Sequence, residues 1–217
     1  MRHTRLLRVP LPVVLLVCGG LLGAASAAAQ DVRGPGPVPL QPPEWPRVAI
    51  DAHGATSGAP SQAGFYPPIA ADAAIPSRGF GAALGAHTYL GRMGVARLGV
   101  GASAMVTRAT LDDATAILVR VVSPQISFNF GTPLGWSYLS GGAGAASLRG
   151  RTGTGAAAAS SASGALLALN VGGGARWFVT PHVAFSFDLR FYRIGRGRDG
   201  ATTPATLGAA TVGLSFR

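Results

Sequence analysis

The chain has 217 residues, with 18 basic and 8 acidic side chains, and every basic side chain is arginine. Only 12% of the residues are charged, about half the usual fraction for a soluble domain, and 48% are hydrophobic. This composition excludes a coiled coil and argues against a strongly charged disordered chain. A disulfide scaffold is excluded because Cys18 is the single cysteine.

The beginning of the chain has the features of an export signal. These are three arginines, a short apolar run and a small-residue cleavage pattern, at Arg2, Arg5, Arg8, 13–22 and 27–29. Residues 1–29 are therefore predicted to be a Sec signal peptide, cut before Gln30. Lipidation at Cys18 is the weaker alternative, because Val17 stands where a small residue is expected.

The chain that follows the signal is basic, with 15 arginines against 8 acids and a net charge of +7. For an exported protein, this charge favours anionic lipid headgroups or phosphate-bearing glycolipid over nucleic acid as a partner. Residues 30–46 are rich in proline, which fixes φ and removes hydrogen-bond donors, so they are predicted to form an extended periplasmic linker. A proline-rich recognition peptide is the alternative for this stretch.

From residue 47 onward the dominant pattern is an alternation of apolar and polar or small side chains. It is clearest in 183–192, where the odd-numbered positions are large and apolar and the even-numbered ones include Asp188 and Arg190. Such alternation predicts β-strands with one apolar face. Eight strands are predicted, at 47–57, 79–91, 94–108, 116–130, 134–148, 164–179, 182–195 and 205–217. The fourth strand changes its alternation near Ser123 and Pro124, which predicts a β-bulge there.

The connections between these strands alternate strictly between long and short. The long ones are 58–78, 109–115, 149–163 and 196–204, and the short ones lie at 92–93, 131–133 and 180–181. This asymmetry, together with an even strand number, is typical of outer-membrane barrels. The predicted fold is therefore an all-β, eight-stranded antiparallel transmembrane β-barrel over 47–217.

Eight of the 16 aromatic residues lie close to a tight turn or to the last strand's end. Aromatic rings favour the headgroup level of a membrane, so these residues are predicted to form the girdle of the inner leaflet. The predicted girdle residues are Tyr89, Phe128, Phe130, Trp136, Tyr138, Trp177, Phe178 and Phe216.

Over 47–217 the chain resembles the small bacterial outer-membrane barrels of the OmpA-barrel, OmpX and OmpW type. The resemblance rests on 171–185, a strand–turn–strand unit common in such barrels, and on 212–217, which ends in Phe216 and Arg217. It implies residence in the bacterial outer membrane and recognition by the barrel assembly machinery. It does not imply an activity.

Polar residues on the predicted inner face suggest an ion-pair network in the lumen. Its predicted members are Asp51, His53, Arg97, Arg176, Asp188 and Arg190. Arginine suits such sites because its planar fork makes several hydrogen bonds at once, and an eight-stranded barrel is just wide enough for side chains to fill. Small residues on strands two and three, such as Gly85 and Gly101, leave room for a cavity or passage.

No catalytic, metal-binding or cofactor motif is found, so no catalytic residue, metal or cofactor is predicted. The glycine-rich patches precede strands rather than a helix N-terminus, which a phosphate-binding loop requires. The predicted function is that of a non-enzymatic, monomeric barrel with a structural or envelope-interaction role. The alternatives are a narrow transport barrel for small solutes, apolar ones included, and a lipid-modifying outer-membrane enzyme.

Arginines in or beside the long connections are predicted to contact lipopolysaccharide phosphates or a similar anionic surface, because guanidinium groups bind phosphate through charge-assisted bonds. The alternative is a solvated basic rim without a partner. The predicted contact residues are Arg78, Arg108, Arg149, Arg151, Arg196 and Arg198.

Overall fold

The computed structural model describes residues 44–61, 65–66, 69, 74–195 and 204–217. The predicted signal peptide and all but 44–46 of the predicted linker lie outside these residues, as do Arg196 and Arg198. The strands are β1 (Val48–Gly58), β2 (Arg78–Met93), β3 (Ala96–Thr110), β4 (Ala116–Thr132), β5 (Gly135–Thr152), β6 (Ala159–Ala162), β7 (Leu166–Phe178), β8 (Val183–Ile194) and β9 (Ala205–Phe216). A 3₁₀ turn lies at Gly155–Ala157, between β5 and β6.

The strands pair antiparallel with their neighbours, and β1 pairs with β9, which closes the sheet into a barrel. The β1–β9 register runs from Ile50–Phe216 to Ser57–Ala209 and is the shortest of the seams between neighbouring barrel strands. β6 and β7 both pair with β5, so they act as one strand of the barrel, broken near Gly164, whose φ is +75°. The all-β, eight-stranded antiparallel barrel predicted from the sequence is confirmed.

Two local predictions are wrong. The register of β4 with β3 runs without a shift through Ser123 and Pro124, so there is no bulge there. The strand does not change face. The alternation changes because the inward residues of β4 are apolar up to Val121, near the long loops, and polar from Ser123 towards the tight turn. A register shift lies instead between Tyr89 and Gly91. β6 lies in a segment predicted to be a loop.

The interior has three layers, which follow from the inward-facing residue of each strand. An apolar layer near the long loops is formed by side chains such as Met105, Val121, Leu148 and Ile194. A polar layer lies across the middle. A layer at the tight-turn end is mostly aromatic and contains Ala49, Tyr89, Trp136 and Tyr138, with Trp45 and Phe178 packed against it.

Both ends of the barrel are covered by side chains. At the long-loop end, Phe65, Tyr66 and Ile69 of the β1–β2 connection are buried in the apolar layer. At the tight-turn end, Trp45 packs with its ring centroid 4.9 Å from that of Trp136. Trp45 falls in the predicted linker, so the described end of that segment packs against the barrel rather than extending away.

The exterior is apolar over most of the strand length, as expected for a wall in contact with lipid. Large exposed side chains point outward from every long strand, including Ile50, Leu84, Val100, Ile126, Leu139, Val171, Leu189 and Val212. Among the described residues, no helix has the length and hydropathy needed to span a membrane.

Candidate functional site

The first ion pair of the polar layer joins β7 to β1 across the lumen. Arg176 is 1% exposed, and its guanidinium donates to both carboxylate oxygens of Asp51, from Nε at 3.0 Å and from Nη2 at 2.6 Å. Asp51 also accepts from the Ser215 hydroxyl and lies 3.1 Å from His87 Nε2. The buried carboxylate is therefore surrounded by donors, which offsets the cost of removing its charge from water.

The second ion pair lies on β8. Arg190 donates to both oxygens of Asp188, at 3.1 and 2.8 Å, to Asn170 Oδ1 at 2.6 Å and to Ser140 Oγ at 2.8 Å. Tyr138 connects the two pairs, because its hydroxyl donates to Asp188 at 2.9 Å and the Arg176 guanidinium carbon lies 4.5 Å from its ring centre. Five of the six residues predicted for the lumen are thus buried together, with His53 described below.

His53 bonds to two hydroxyl groups, with Nε2 2.6 Å from Ser186 Oγ and Nδ1 2.9 Å from Thr211 Oγ1. A serine–histidine pair of this kind is the arrangement that activates a nucleophile. Here Ser186 is fully buried, and its Oγ also lies 2.9 Å from Ser215 Oγ, whose proton is donated to Asp51. The pair therefore extends the lumen network towards Asp51, and His53 also lines the small lumen cavity described below.

Arg97 does not join this network, which corrects the prediction made for it. Its guanidinium lies 5.1 Å from the centre of the Trp45 ring, at the tight-turn end of the barrel, and it is half-buried. The network is confined to the middle layer, below which the aromatic layer separates it from Arg97.

A cavity of about 40 Å³ lies beside the network, enough for about three water molecules. Ala83, Gly85 and Ser103 line it on the side of β2 and β3, where the sequence has small residues, and Tyr192 lines it on the other side. Gln125 also lines it, and its Oε1 has no hydrogen-bond partner among the described residues. Within that part of the chain, no group of three or more His, Cys, Asp or Glu could hold a metal ion.

The predicted aromatic girdle is divided between the two faces of the barrel, so the prediction is wrong for part of the set. Tyr89, Trp136 and Tyr138 are buried in the interior. Phe178 is half-buried and stacks on Trp136, with ring centroids 5.2 Å apart. Inward rings of this size fill the tight-turn end, where the neighbouring strands leave room for them.

The lipid-facing aromatic residues at this end are Phe128, Trp177 and Phe216, and Phe130 is half-buried. Trp177 stacks with Phe185 and Phe187, at centroid distances of 6.3 and 5.7 Å, and neither phenylalanine was included in the predicted girdle. The signal that identifies them is the cross-strand register, which pairs Phe185 with Trp177.

Arg217 connects two tight turns at the same end. Its side chain donates to the carbonyl oxygens of Pro181 and Pro133, both at 2.5 Å, and its guanidinium carbon lies 4.0 Å from the centre of the Phe178 ring. The β4–β5 and β7–β8 turns are thereby held around the aromatic layer.

Tyr66 closes the opposite end. It is fully buried, and its hydroxyl has no hydrogen-bond partner among the described residues. Burial raises the pKa of that hydroxyl above its usual value, since the charged phenolate is disfavoured away from water.

Four of the six predicted lipid-contact arginines are exposed on the outer surface of the same half of the barrel. Arg78 is on β2, Arg108 on β3, and Arg149 and Arg151 on β5. Arg120 of β4 completes the series and was missed, because the prediction considered only arginines in or beside the loops. We refer to Arg78, Arg108, Arg120, Arg149 and Arg151 as the basic arc.

Similar folds are found among solved structures. Neisserial surface protein A matches with a TM-score of 0.53 and 18% identity, over 79% of this chain and 97% of that one. The attachment invasion locus protein Ail of Yersinia pestis, in complex with the heparin analogue sucrose octasulfate, matches with a TM-score of 0.50 and 15% identity, over 78% and 96%.

The chain has the fold of the small outer-membrane β-barrels. At these identities the likeness concerns the fold alone. No protein-family model matches the chain, and no curated protein matches it either.

Proposed function

We propose that this chain is an integral β-barrel of the bacterial outer membrane with a structural or envelope-interaction role and no catalytic activity. The observation that carries this proposal is the closed lumen between an apolar outside wall and two covered ends. Phe65 and Tyr66 fill one end and Trp45 with Trp136 fills the other, while ion pairs occupy the middle. Such an interior serves to hold the barrel rigid, which leaves the exterior and the loops as interaction surfaces.

The proposal includes the route to the membrane. Residues 1–29 act as a Sec signal peptide, the barrel assembly machinery inserts the chain, and the folded barrel is a monomer. Its partners are outer-membrane lipid and lipopolysaccharide, contacted through arginines near the long loops, and nucleic acid is not a partner. The apolar exterior supports a lipid environment, and the concentration of exposed arginine at the long-loop end supports an anionic one.

Three measurements test this proposal. The folded barrel should migrate differently on a detergent gel before and after boiling, and cell fractionation should recover it in the outer membrane. In a planar bilayer it should give no stable single-channel conductance. Recovery of the folded chain in the periplasm, or a steady ion current, would contradict the proposal.

A second candidate, narrow transport of small solutes, is favoured by the 40 Å³ cavity alone. It would require both ends to open. Replacing Trp45 and Tyr66 together by alanine should then produce a conductance or solute flux in vesicles, and its absence would leave the closed barrel as the better description. A lipid-modifying enzyme, the third class considered, is not supported, because Ser186 and His53 are enclosed in the lumen.

A further inference from the structure

The arginines of the basic arc are neighbours across the strands. Arg120 pairs with Val106 and with Ser147, which lie two residues from Arg108 and Arg149 on the same face. Arg120 is therefore the diagonal neighbour of both. Diagonal positions across antiparallel strands are about 7–8 Å apart, which long side chains bridge. Three guanidinium groups on three adjacent strands can thus reach one anion.

The arc continues to both sides. Phe80 of β2 pairs with Arg108, and Arg78 lies two residues from Phe80, so Arg78 is a diagonal neighbour of Arg108. Arg151 lies two residues beyond Arg149 on the same face of β5. The other half of the wall differs, since the described exterior of β7, β8, β9 and β1 carries one arginine at this end, Arg193. Among the described residues, which leave out Arg196 and Arg198, the basic surface lies on one side of the barrel.

The height of Arg120 places it at a membrane interface. It lies ten residues from Phe130 on the same face of β4, and the exposed side chains between them include Val122, Ile126 and Phe128. Ten residues of a strand tilted by about 40° rise about 25 Å, which is the height of the apolar band of an outer-membrane barrel. With Phe130 at one boundary of the band, Arg120 lies at the other, where a charged side chain on the lipid face costs little.

No neutralising partner for these charges is seen within the described residues. None of the five guanidinium groups makes a hydrogen bond or ion pair there, and the described ion pairs are all inside the barrel. The two acids of the β3–β4 connection are Asp112 and Asp113; Asp112 Oδ1 accepts from the backbone amides of Ala114 and Thr115, and no ion pair of either acid is described. A cluster of guanidinium groups that have no partner among the described residues is complementary, at headgroup height, to a phosphate-bearing lipid.

We infer that the exterior of β2–β5 holds a specific binding site for the phosphorylated glucosamine headgroup of lipid A, centred on Arg120 with Arg108 and Arg149 on either side. The inference deepens the proposed function and rests on its membrane orientation. It differs from a general attraction between basic loops and an anionic surface. The lipid binds on one side of the barrel exterior. The central residue of its site, Arg120, lies on a transmembrane strand rather than in a loop.

The test is a binding titration of the full barrel in phosphatidylcholine nanodiscs containing fluorescent diphosphoryl lipid A. Arg120→Gln should weaken binding about tenfold, as expected for the loss of one charge-assisted hydrogen bond. Arg120→Lys should lose less, because it keeps the charge but not the planar fork. The matched control is Arg193→Gln, an exposed arginine at the same end on the opposite side, which should leave binding unchanged.

Three outcomes would overturn the inference. In the first, Arg120→Gln and the double variant Arg108→Gln/Arg149→Gln bind lipid A as the unmodified chain does. In the second, Arg193→Gln loses as much affinity as Arg120→Gln, which would indicate a general charge effect. In the third, Arg120→Gln weakens binding of the soluble polyanion sucrose octasulfate while lipid A binding stays constant, which would indicate a glycan site.

The same samples separate this inference from the proposed function. Each variant is checked for heat-modifiable mobility and for recovery in the outer membrane, neither of which depends on an exposed arginine. If the unmodified chain fails these checks, the proposed function fails. If all variants pass and lipid A affinity does not change, only the site on β2–β5 is rejected.

Discussion

Arg176 on β7 holds Asp51 on β1 through two hydrogen bonds, although β8 and β9 separate these strands in the sheet. The pair therefore ties together parts of the wall that share no backbone pairing. A barrel of eight strands has no other core than its lumen, so such ties have the role that packing between layers has in a soluble domain.

Substituting one partner of this ion pair should destabilise the barrel strongly. Arg176→Met leaves the Asp51 carboxylate buried without its main partner, and we expect the free energy of unfolding to fall by about 3–5 kcal/mol. The double variant Asp51→Asn/Arg176→Met removes both charges and should recover part of this loss. Urea titrations of vesicle-inserted protein, followed by gel mobility, measure the effect. Arg193→Met, on the exposed surface, is the control, and a double variant no more stable than Arg176→Met would refute the expectation.

Close approach of neighbouring strands explains one of the inward glycines. A Cβ at Gly174 would collide with the backbone carbonyl oxygen of Phe187, whereas a Cβ at Gly91 would meet nothing within 4 Å. Gly174→Ala should therefore cost about 1–3 kcal/mol of stability, the range for overpacking. Gly91→Ala should be close to neutral in the same urea titration. Equal effects at the two positions would argue against steric contact as the cause.

Tryptophan fluorescence can distinguish the two faces at the tight-turn end. In variants that keep one tryptophan and replace the others by phenylalanine, brominated phospholipids should quench Trp177 strongly and Trp136 weakly. Trp177 is 44% exposed on the outer wall, whereas Trp136 is 2% exposed inside. Strong quenching of Trp136 would instead support the original girdle prediction for that residue.

Removing the Tyr66 hydroxyl should not lower the free energy of unfolding, in contrast to most substitutions in a core. A buried hydroxyl without a partner costs about 1–3 kcal/mol, so Tyr66→Phe should raise the free energy of unfolding or leave it unchanged. Tyr66→Ala removes the ring from the apolar layer and should lower it by about 3–5 kcal/mol, as for other large buried rings. A loss of stability in Tyr66→Phe would mean that the hydroxyl has a partner outside the described residues.

Alternation along the chain predicts the eight strands of the barrel and the lumen face of β8. On β8 the odd-numbered positions 185–191 are large and apolar, whereas the even-numbered positions 186–192 are polar or carry a hydroxyl group. The same pattern could not place the aromatic residues of β5. On that strand Trp136 and Tyr138 alternate with Ser137 and Leu139, so neither face is distinctly the lipid side from sequence alone. Which face points inward is decided by closure of the whole sheet.

Arg97 and Arg120 illustrate two further limits of prediction from the sequence. Arg97 lies on the predicted inner face, but the polar layer covers only the middle of the lumen, and a strand's alternation carries no information about height. Arg120 gains its neighbours through the register of β4 with β3 and β5. Register depends on turn geometry and on partners far along the chain, so spacing within one strand does not reveal it.

The short register between β1 and β9 has a mechanical consequence. Fewer backbone hydrogen bonds join these strands than join β3 and β4, whose register runs from Arg97–Asn129 to Thr110–Ala116. Under an outward force or partial denaturation, β1 and β9 should therefore separate before the other neighbouring strands do. Asp51 of β1 and Ser215 of β9 are paired in this register, and the hydrogen bond between their side chains adds a second connection between the two strands.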